Sequence, residues 1–383
     1  MSIAIRFCEI DGFAPLTTIG ENPSSMDLEP PVVDLLSSSP AYTSTNGAAY
    51  LGDSLDLLDE LPDNSIDLVV TSPPFELAYQ KEYGDDWADD EGGYQDWFLK
   101  FAKKVRRVLT EYGSFVIEIG GAFKKGRPAR STYQFELLTK LAGEEGEFEL
   151  AQDFYWHNPA KLPSPAAWVT KRRIRASDAI THVWWLAKNV STESATEEDE
   201  QPIPEADNRR VLDDYSDSQK DLMKKGEYNA GERPSGHVIS EEGFFTDSGG
   251  SISDNLITAT NTRSTTHYDK MCKESGLDKH PARFPPDIPE FFIKFLTPNP
   301  PYDDWSRGHL DRPIVLDIFG GSNMTGKIAE ENGRYWLTFE KDPSYMEASE
   351  LRFLTPVEVL RRYDDAQMGF DDFSDMEFSE SDS

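Results

Sequence analysis

The run Thr71-Ser72-Pro73-Pro74-Phe75 sets a hydroxyl, two prolines and an aromatic ring directly after an apolar stretch, Ile66-Asp67-Leu68-Val69-Val70. The apolar stretch predicts a buried strand. A strand that stops at Ser-Pro-Pro-Phe ends in a rigid, extended turn. Each proline fixes its own φ, lacks an N–H, and pushes the residue before it out of the helical region. The turn leaves backbone carbonyls that no intrachain amide need claim, beside a small hydroxyl and an aromatic face. That set suits a planar ring carrying an exocyclic amino group, whose N–H donors need acceptors and whose face needs stacking. Ser72, Pro73, Pro74 and Phe75 are therefore candidate catalytic residues. Taken alone, the run is also what a turn that merely stops a strand looks like.

A second run carries a different chemistry. Val315-Leu316-Asp317-Ile318-Phe319-Gly320-Gly321-Ser322-Asn323 reads as a strand feeding a glycine-rich turn. A helix is expected over 325–332, then a strand from Tyr335 that ends at Glu340. Strand, glycine turn, helix, strand and acid, in that order, form the nucleotide-binding half of a doubly wound sheet. The glycines let backbone approach a ligand closely, and Glu340 can accept from ribose hydroxyls. An ordinary βαβ loop is the alternative for this run alone. Residues 321–327 also match the first seven positions of a phosphate-cradling loop, but Ile328 stands where the magnesium-binding hydroxyl belongs, which argues against an NTPase.

These two runs need a scaffold, and the rest of the chain predicts one. A short strand ends at Tyr50-Leu51-Gly52-Asp53. Residues 54–61 form a helix with a leucine face, and 94–109 an amphipathic helix with Trp97, Phe98, Phe101 and Val105 inward. Residues 113–121 make a buried strand ending in two glycines. A helix near 133–142, strands near 150–157 and 179–187, and a Phe-rich helix at 289–296 follow. The acidic loop 76–93, with Tyr79, Tyr83 and Trp87, is read as a lid over the site. Residues 1–45 read as a flexible N-terminal arm, 46–188 and 276–363 as two halves of one catalytic domain, 189–275 as an insertion containing target-reading loops, and 364–383 as an acidic disordered tail.

The pair of motifs resembles the amino-methylating DNA methyltransferases that use S-adenosylmethionine, most closely their N4-cytosine branch. In that branch a Ser-Pro-Pro-aromatic motif precedes the cofactor-binding glycine turn, as here. Phe154-Tyr155-Trp156-His157-Asn158-Pro159-Ala160-Lys161-Leu162-Pro163-Ser164-Pro165 and Val183-Trp184-Trp185-Leu186-Ala187-Lys188 are similar to further family segments. So are Arg233-Pro234-Ser235-Gly236-His237 and Gly249-Gly250-Ser251-Ile252. Lys279-His280-Pro281-Ala282-Arg283-Phe284-Pro285 resembles the segment that closes over the methionine part of the cofactor. The likeness spans roughly 48–350.

The resemblance implies a doubly wound, mostly parallel α/β sheet of Rossmann-like methyltransferase type, with an inserted DNA-recognition region. It implies transfer of a methyl group from S-adenosylmethionine to N4 of a cytosine extruded from double-stranded DNA. Ser72 and the Pro73 carbonyl would accept from the amino group, and Phe75 would stack on the base. Glu118 would accept from the amine or order Ser72, although relatives often carry Asp there. Phe319, Gly320, Gly321, Ser322, Asn323 and Glu340 would hold the cofactor, with Asp53 at its adenine and His280, Pro281, Arg283 and Phe284 near its carboxylate. Lys171, Arg172, Arg173 and Arg175, the densest basic cluster, would meet the DNA backbone. Asn261, Arg263 and His267 are weaker candidates for base edges. An N6-adenine methyltransferase and a catalytically silent DNA-binding module remain alternatives, and a cognate restriction endonuclease is an expected partner.

Composition sets the surroundings. The 383 residues hold 70 acidic and 38 basic side chains, for a net charge of -32. Runs such as Asp89-Asp90-Glu91 and Glu197-Glu198-Asp199-Glu200 place that excess on surface segments. Such density is expected in a high-salt cytoplasm, as in salt-loving archaea, where carboxylates keep a protein hydrated. In molar salt the Debye length is about 3 Å, so long-range repulsion from DNA matters little. Cys8 and Cys272 make no disulfide framework and suit a reducing cytoplasm. Neither cysteine follows a proline, as the nucleophile of carbon-5 cytosine methyltransferases does. The six histidines lack ligand spacing, so no metal is expected. No apolar run reaches membrane-spanning length, and the N-terminus lacks a cationic signal segment.

Overall fold

Strands that are apolar on both faces must be covered on both faces, and the sheet meets that demand. The computed structural model describes residues 29–75, 93–190, 203–225, 231–232, 238–239, 248–261, 266–281, 285–302, 305–306 and 308–363. Its strands are β1 (Tyr42–Thr43), β2 (Gly47–Leu51), β3 (Ile66–Thr71), β4 (Leu109–Ile119), β5 (Glu149–His157), β6 (Ile180–Ala187), β7 (Gly231–Glu232), β8 (Val238–Ile239), β9 (Leu256–Thr258), β10 (Ile314–Asp317) and β11 (Tyr335–Glu340). Nine of these join one sheet in the order β1-β2-β11-β10-β3-β4-β6-β5-β9, and β7 and β8 pair separately. The central run from β2 to β4 is parallel throughout. β6 runs antiparallel to both β4 and β5.

The helices are α1 (Ser54–Glu60), α2 (Gly93–Val108), α3 (Tyr133–Leu141), α4 (Asp217–Lys225), α5 (His267–Ser275), α6 (Asp287–Leu296), α7 (Met324–Glu331), α8 (Pro343–Glu350) and α9 (Pro356–Tyr363). Leu57, Leu58, Phe98, Phe101, Val105 and Leu137 of α1 to α3 pack with Ile66, Phe115, Ile117 and Leu316 in one core. Ile288, Phe292, Ile293 and Ile328 of α6 and α7 pack with Leu68, Val70, Val116 and Val315 in a second. Alternate residues of the same strands feed the two cores, which is the period of two read on both faces of one sheet. The sheet is therefore doubly wound, as expected.

Two readings of the chain's organisation are corrected. Residues 29–45, expected to lie in a flexible arm, are packed: Val32 is fully buried, Leu35 and Tyr42 nearly so. The Tyr42 hydroxyl shares a 2.7 Å hydrogen bond with Ser349 and accepts one of 2.9 Å from Asn323. A few apolar residues tie the segment down although Ser and Pro dominate its composition. The insertion 189–275, read as a source of target-reading loops, also supplies β9, which pairs with β5 and extends the sheet. It also supplies α5, whose Tyr268, Met271 and Cys272 pack on Ala348, Leu351 and Val359. The lid reading of 76–93, the start of the arm and the acidic tail lie outside the described residues, apart from Gly93. No helix among the described residues is long and apolar enough to cross a membrane.

Candidate active site

β3 and β10 are neighbouring parallel strands, yet the chain leaves them in opposite directions along the sheet, β3 toward β4 and β10 toward β11. This is the topological switch point, where the loops after the two strands splay apart and open a crevice at the carboxyl edge. The Ser-Pro-Pro-Phe turn follows β3, and the glycine turn follows β10. One side chain ties the two ends together. The Asp317 carboxylate, nearly fully buried, accepts from the Thr71 hydroxyl at 2.7 Å, the Thr325 hydroxyl at 2.8 Å and the Phe319 N–H at 3.0 Å. Both motifs, almost 250 residues apart in the chain, thus share one crevice.

On the β3 side, the Ser72 hydroxyl donates to Glu118 Oε2 at 2.5 Å. Glu118 stands near the carboxyl end of β4, the next parallel strand, and is 5% exposed. Burial pushes its pKa up to about 7, against the lowering effect of the Ser72 bond and of the nearby Lys161 charge. Lys161 lies in the loop that leaves β5 at the same edge. Loss of water around its ammonium holds its pKa below the lysine range, despite Asp178 and Glu118 nearby. The Phe75 ring fills the space beside Gly120: a Cβ there would sit 2.6 Å from two ring carbons. Gly120 is required because the ring occupies the space of a side chain.

On the β10 side, Gly320 donates to the Phe339 carbonyl at 2.8 Å, and Gly321 turns back with φ of +51°. The Gly321 N–H donates to Glu340 Oε2 at 2.7 Å, and the Asp342 N–H to Glu340 Oε1 at 2.8 Å. Each carboxylate oxygen keeps a second lone pair for a hydroxyl donor. Burial pushes the Glu340 pKa up. The His280 ring covers Gly321, where a Cβ would lie 3.3 Å from it, and meets Tyr345 edge-on at 4.5 Å. His280 is thereby brought over the glycine turn. Phe319 leans into Trp97, Phe98 and Phe101 of α2, at 5.9, 6.3 and 5.1 Å between ring centres.

Other candidates are committed to the fold. The Asn323 side chain is fully buried; its Oδ1 accepts from Gly326 N–H at 3.0 Å and caps α7, while its amide donates to Tyr42. Its αL backbone, φ +51°, is a conformation Asn tolerates. Ser322 is bonded by Arg352, whose Nη2 donates to the hydroxyl at 2.9 Å. Asp53 caps α1 by accepting from Leu55 N–H at 2.7 Å. It stays exposed at the edge of the crevice, because its neighbour Gly52 donates to the Glu340 carbonyl at 3.0 Å and Ser54 to that of Ile318 at 2.6 Å.

Lys171, Arg172 and Arg173 are exposed on the loop between β5 and β6, which opens on the same edge as the crevice. The Arg172 guanidinium stands over the Trp168 ring at 5.0 Å, and that of Arg175 over Phe123 at 4.6 Å. Asn261 accepts from the Asn158 amide at 2.9 Å beside this loop. His267 instead sits at the start of α5, in hydrogen-bond contact with the Leu354 carbonyl at 3.1 Å, a position set by packing. Arg263, Arg283 and Phe284 lie outside the described residues. The bridging role of Asp317 and Thr71, and the part of Lys161, were given no weight in the sequence. The only available signal was that all three flank or sit inside the motifs.

A doubly wound sheet with a Ser-Pro-Pro-Phe turn and a glycine turn at one switch point defines a methyltransferase-type α/β enzyme. The chain belongs to the DNA methylase family, whose N6/N4 methyltransferase model matches residues 66–351. It is 48% identical over 317 residues to the Type II methyltransferase M.PvuII of Proteus hauseri, covering 82% of this chain and 86% of that one. The solved structure of the cytosine-N4-specific PvuII DNA methyltransferase aligns with a TM-score of 0.64 at 40% identity, over 86% of this chain and 95% of that chain. The Type II methyltransferase M.SfiI of Streptomyces fimbriatus is 33% identical over 132 residues, 30% of this chain and 31% of that one.

Proposed function

We propose that this chain is a site-specific DNA methyltransferase that moves a methyl group from S-adenosylmethionine to N4 of a cytosine turned out of duplex DNA. The observation that carries the reading is the Ser72–Glu118 hydrogen bond at the lip of the crevice that also holds the glycine turn. The 48% identity to M.PvuII, whose solved counterpart is cytosine-N4-specific, supports the choice of base. The cofactor's ribose suits Glu340, its backbone path suits Gly320 and Gly321, and its amino-acid end suits the His280 and Pro281 side. Asn323 and Ser322 would serve it through the loop they hold in shape.

When bound, the cofactor supplies an electrophilic methyl group on a sulfonium. The amino nitrogen of cytosine is a weak nucleophile because its lone pair is delocalised into the ring. The Ser72 oxygen and the Pro73 carbonyl accept from its two N–H bonds and hold the hydrogens out of the ring plane, which frees the lone pair. Phe75 gives the base a stacking face, about 1–3 kcal/mol against the cost of unstacking it. After transfer the nitrogen carries an extra proton, and Glu118 takes it through the Ser72 hydroxyl. Orientation of the base supplies much of the rate.

This assignment fixes a pH dependence. Glu118 accepts a proton only when ionised, so kcat/KM rises with pH through about 7 and levels off above it. Stability moves the other way. Between the ordinary value of 4.5 and about 7, the folded chain holds a proton that the unfolded chain has released. The contribution of Glu118 to stability therefore falls as pH climbs through that window. Glu118→Gln is expected to remove both trends; a rate profile that keeps its inflection near 7 in that variant would reassign the base.

The exposed Lys171, Arg172 and Arg173 meet DNA phosphates in this reading. Replacing all three by Ala is expected to weaken duplex binding and to lower the slope of log K against log salt by about 2–3. Cofactor affinity should not change, and equilibrium titrations at several salt concentrations measure both. A cytoplasmic enzyme paired with a restriction endonuclease of the same site, in a high-salt cell, completes the proposal. Single-molecule sequencing of DNA from a host expressing the chain, beside a Ser72→Ala control, tests it. N4-methylcytosine at one short motif is the expected signal; a signal on adenine overturns it.

A further inference from the structure

Gly120 is followed by a second glycine whose side-chain space is also taken. A Cβ on Gly121 would lie 1.7 Å from Arg130 Nη2 and 3.1 Å from Gln134 Oε1. Arg130 arrives from the turn closed by the Phe123–Arg130 bridge, and Gln134 from the first turn of α3. The Tyr133 hydroxyl donates to the Gly120 carbonyl and so pins the start of α3 to the same glycines. Gln134 is fully buried, yet among the described residues neither its Oε1 nor its Nε2 has a hydrogen-bond partner, and Arg130 Nε has none either. Among the described residues Arg130 makes a long ion pair, 3.6 Å, with Asp178. Its charge and that of Glu118 both act on Lys161.

A buried polar atom without a partner costs about 1–3 kcal/mol. Native structures rarely hold three in one corner unless function requires them. The corner adjoins the shelf that carries Phe75, since consecutive Cα atoms are about 3.8 Å apart. One glycine makes room for an aromatic ring, and the next for a set of hydrogen-bonding side chains.

We infer that Arg130, backed by Gln134, forms the edge-reading wall of the base site, its partly exposed guanidinium donating to O2 and N3 of the extruded cytosine and so selecting cytosine over adenine. The inference rests on the N4-cytosine reading above and names the residues behind its base choice. Beyond its amino group, cytosine offers two acceptors, N3 and O2. Adenine offers one acceptor, N1, and then an apolar C2–H. A donor pair is satisfied by the first and left half unpaired by the second, which is how a polar site rejects an analogue that lacks a partner. Arg130 presents both donors of its planar fork, and the buried Gln134 packed beside it positions the guanidinium.

The test uses the full chain, labelled S-adenosylmethionine, and duplexes carrying the motif that sequencing reports, with cytosine or adenine at the target position. Gln134→Leu and Arg130→Gln are each expected to lower kcat/KM for cytosine by about 10–100-fold, with much less effect on adenine, so that the preference narrows. Cofactor affinity should be unchanged. The unfolding midpoint of Gln134→Leu should match or exceed the wild type, because the variant removes an unpaired buried amide. Gly121→Ala, whose Cβ displaces the end of Arg130 and presses on Gln134, should narrow the preference in the same way. An unchanged preference in Gln134→Leu and Arg130→Gln overturns the inference. So does a Gln134→Leu variant that melts early and loses cofactor binding, since that marks a structural residue. If the wild type modifies cytosine while the variants keep its preference, only this inference fails; if the wild type leaves cytosine N4 unmodified, the activity reading fails and takes the inference with it.

Discussion

Ser72→Ala is expected to lower kcat by about 10²–10³-fold, the usual loss when one preorganised polar contact at a reacting centre is removed. The hydroxyl has two duties in the proposed mechanism. It accepts from the target amine, and it passes a proton to Glu118, to which it already donates at 2.5 Å. Alanine ends both. The turn itself should persist, because Pro73 and Pro74 hold it without help from the hydroxyl. Cofactor affinity should therefore be unchanged and KM for DNA nearly so, the pattern of a contact used mainly in the transition state. A second signature follows from the carboxylate. The Ser72 bond opposes the burial that raises the Glu118 pKa. Without it Glu118 should hold its proton to higher pH, and the residual rate should rise at a higher pH than in the wild type. Steady-state kinetics over a pH series reads both effects. A kcat within threefold of the wild type would remove Ser72 from the mechanism.

Much of this geometry was legible in the sequence for a definable reason. Two apolar runs ending in Pro-Pro and Gly-Gly announce strands with special turns. The rule that ligands bind where a doubly wound sheet reverses its order then puts both turns at one edge. What was not legible is the set of contacts that only folding creates. Nothing local says that Asp317 reaches Thr71, or that Gly120 is bare because Phe75 fills its side-chain space. Burial of Val32 and Tyr42 was hidden by the Ser and Pro around them. Helix α5 was missed although its capping signals were present, Thr266 accepting from the Asp269 N–H and Gly276 closing in αL with φ of 68°. Its apolar face is only Tyr268, Met271 and Cys272, too narrow a stripe to stand out in a polar segment. Asn323 and Ser322 point the opposite way: a motif position suggests a ligand contact, while the structure spends their side chains on the shape of the loop.

The same distinction between residues that touch substrate and residues that hold the site together decides what Asp317 should do. Its carboxylate takes three donors from both sides of the switch point while almost fully buried, and burial pushes its pKa up. Asp317→Ala would strand the Thr71 and Thr325 hydroxyls and the Phe319 N–H in an apolar interior. The expected cost is about 3 kcal/mol, less than three full unpaired-group penalties because the hydroxyls can turn toward other acceptors. Activity should fall with it, since the carboxyl ends of β3 and β10 would lose the side-chain link that sets the proline turn against the glycine turn. Asp317→Asn separates shape from charge. Its Oδ1 can still accept from Thr71 and Phe319, and its amide can donate to Thr325, whose hydroxyl reverses to accept. That variant should stay within about 1 kcal/mol of the wild type and keep most of its activity. Thr71→Val, which cuts only the cross-strand bond, should fall between the two. Chemical unfolding and initial rates on the three variants order them. An Asp317→Ala protein as stable as the wild type would mean that the two strand ends are held by backbone pairing alone, and the crevice would then owe its shape to the sheet rather than to this carboxylate.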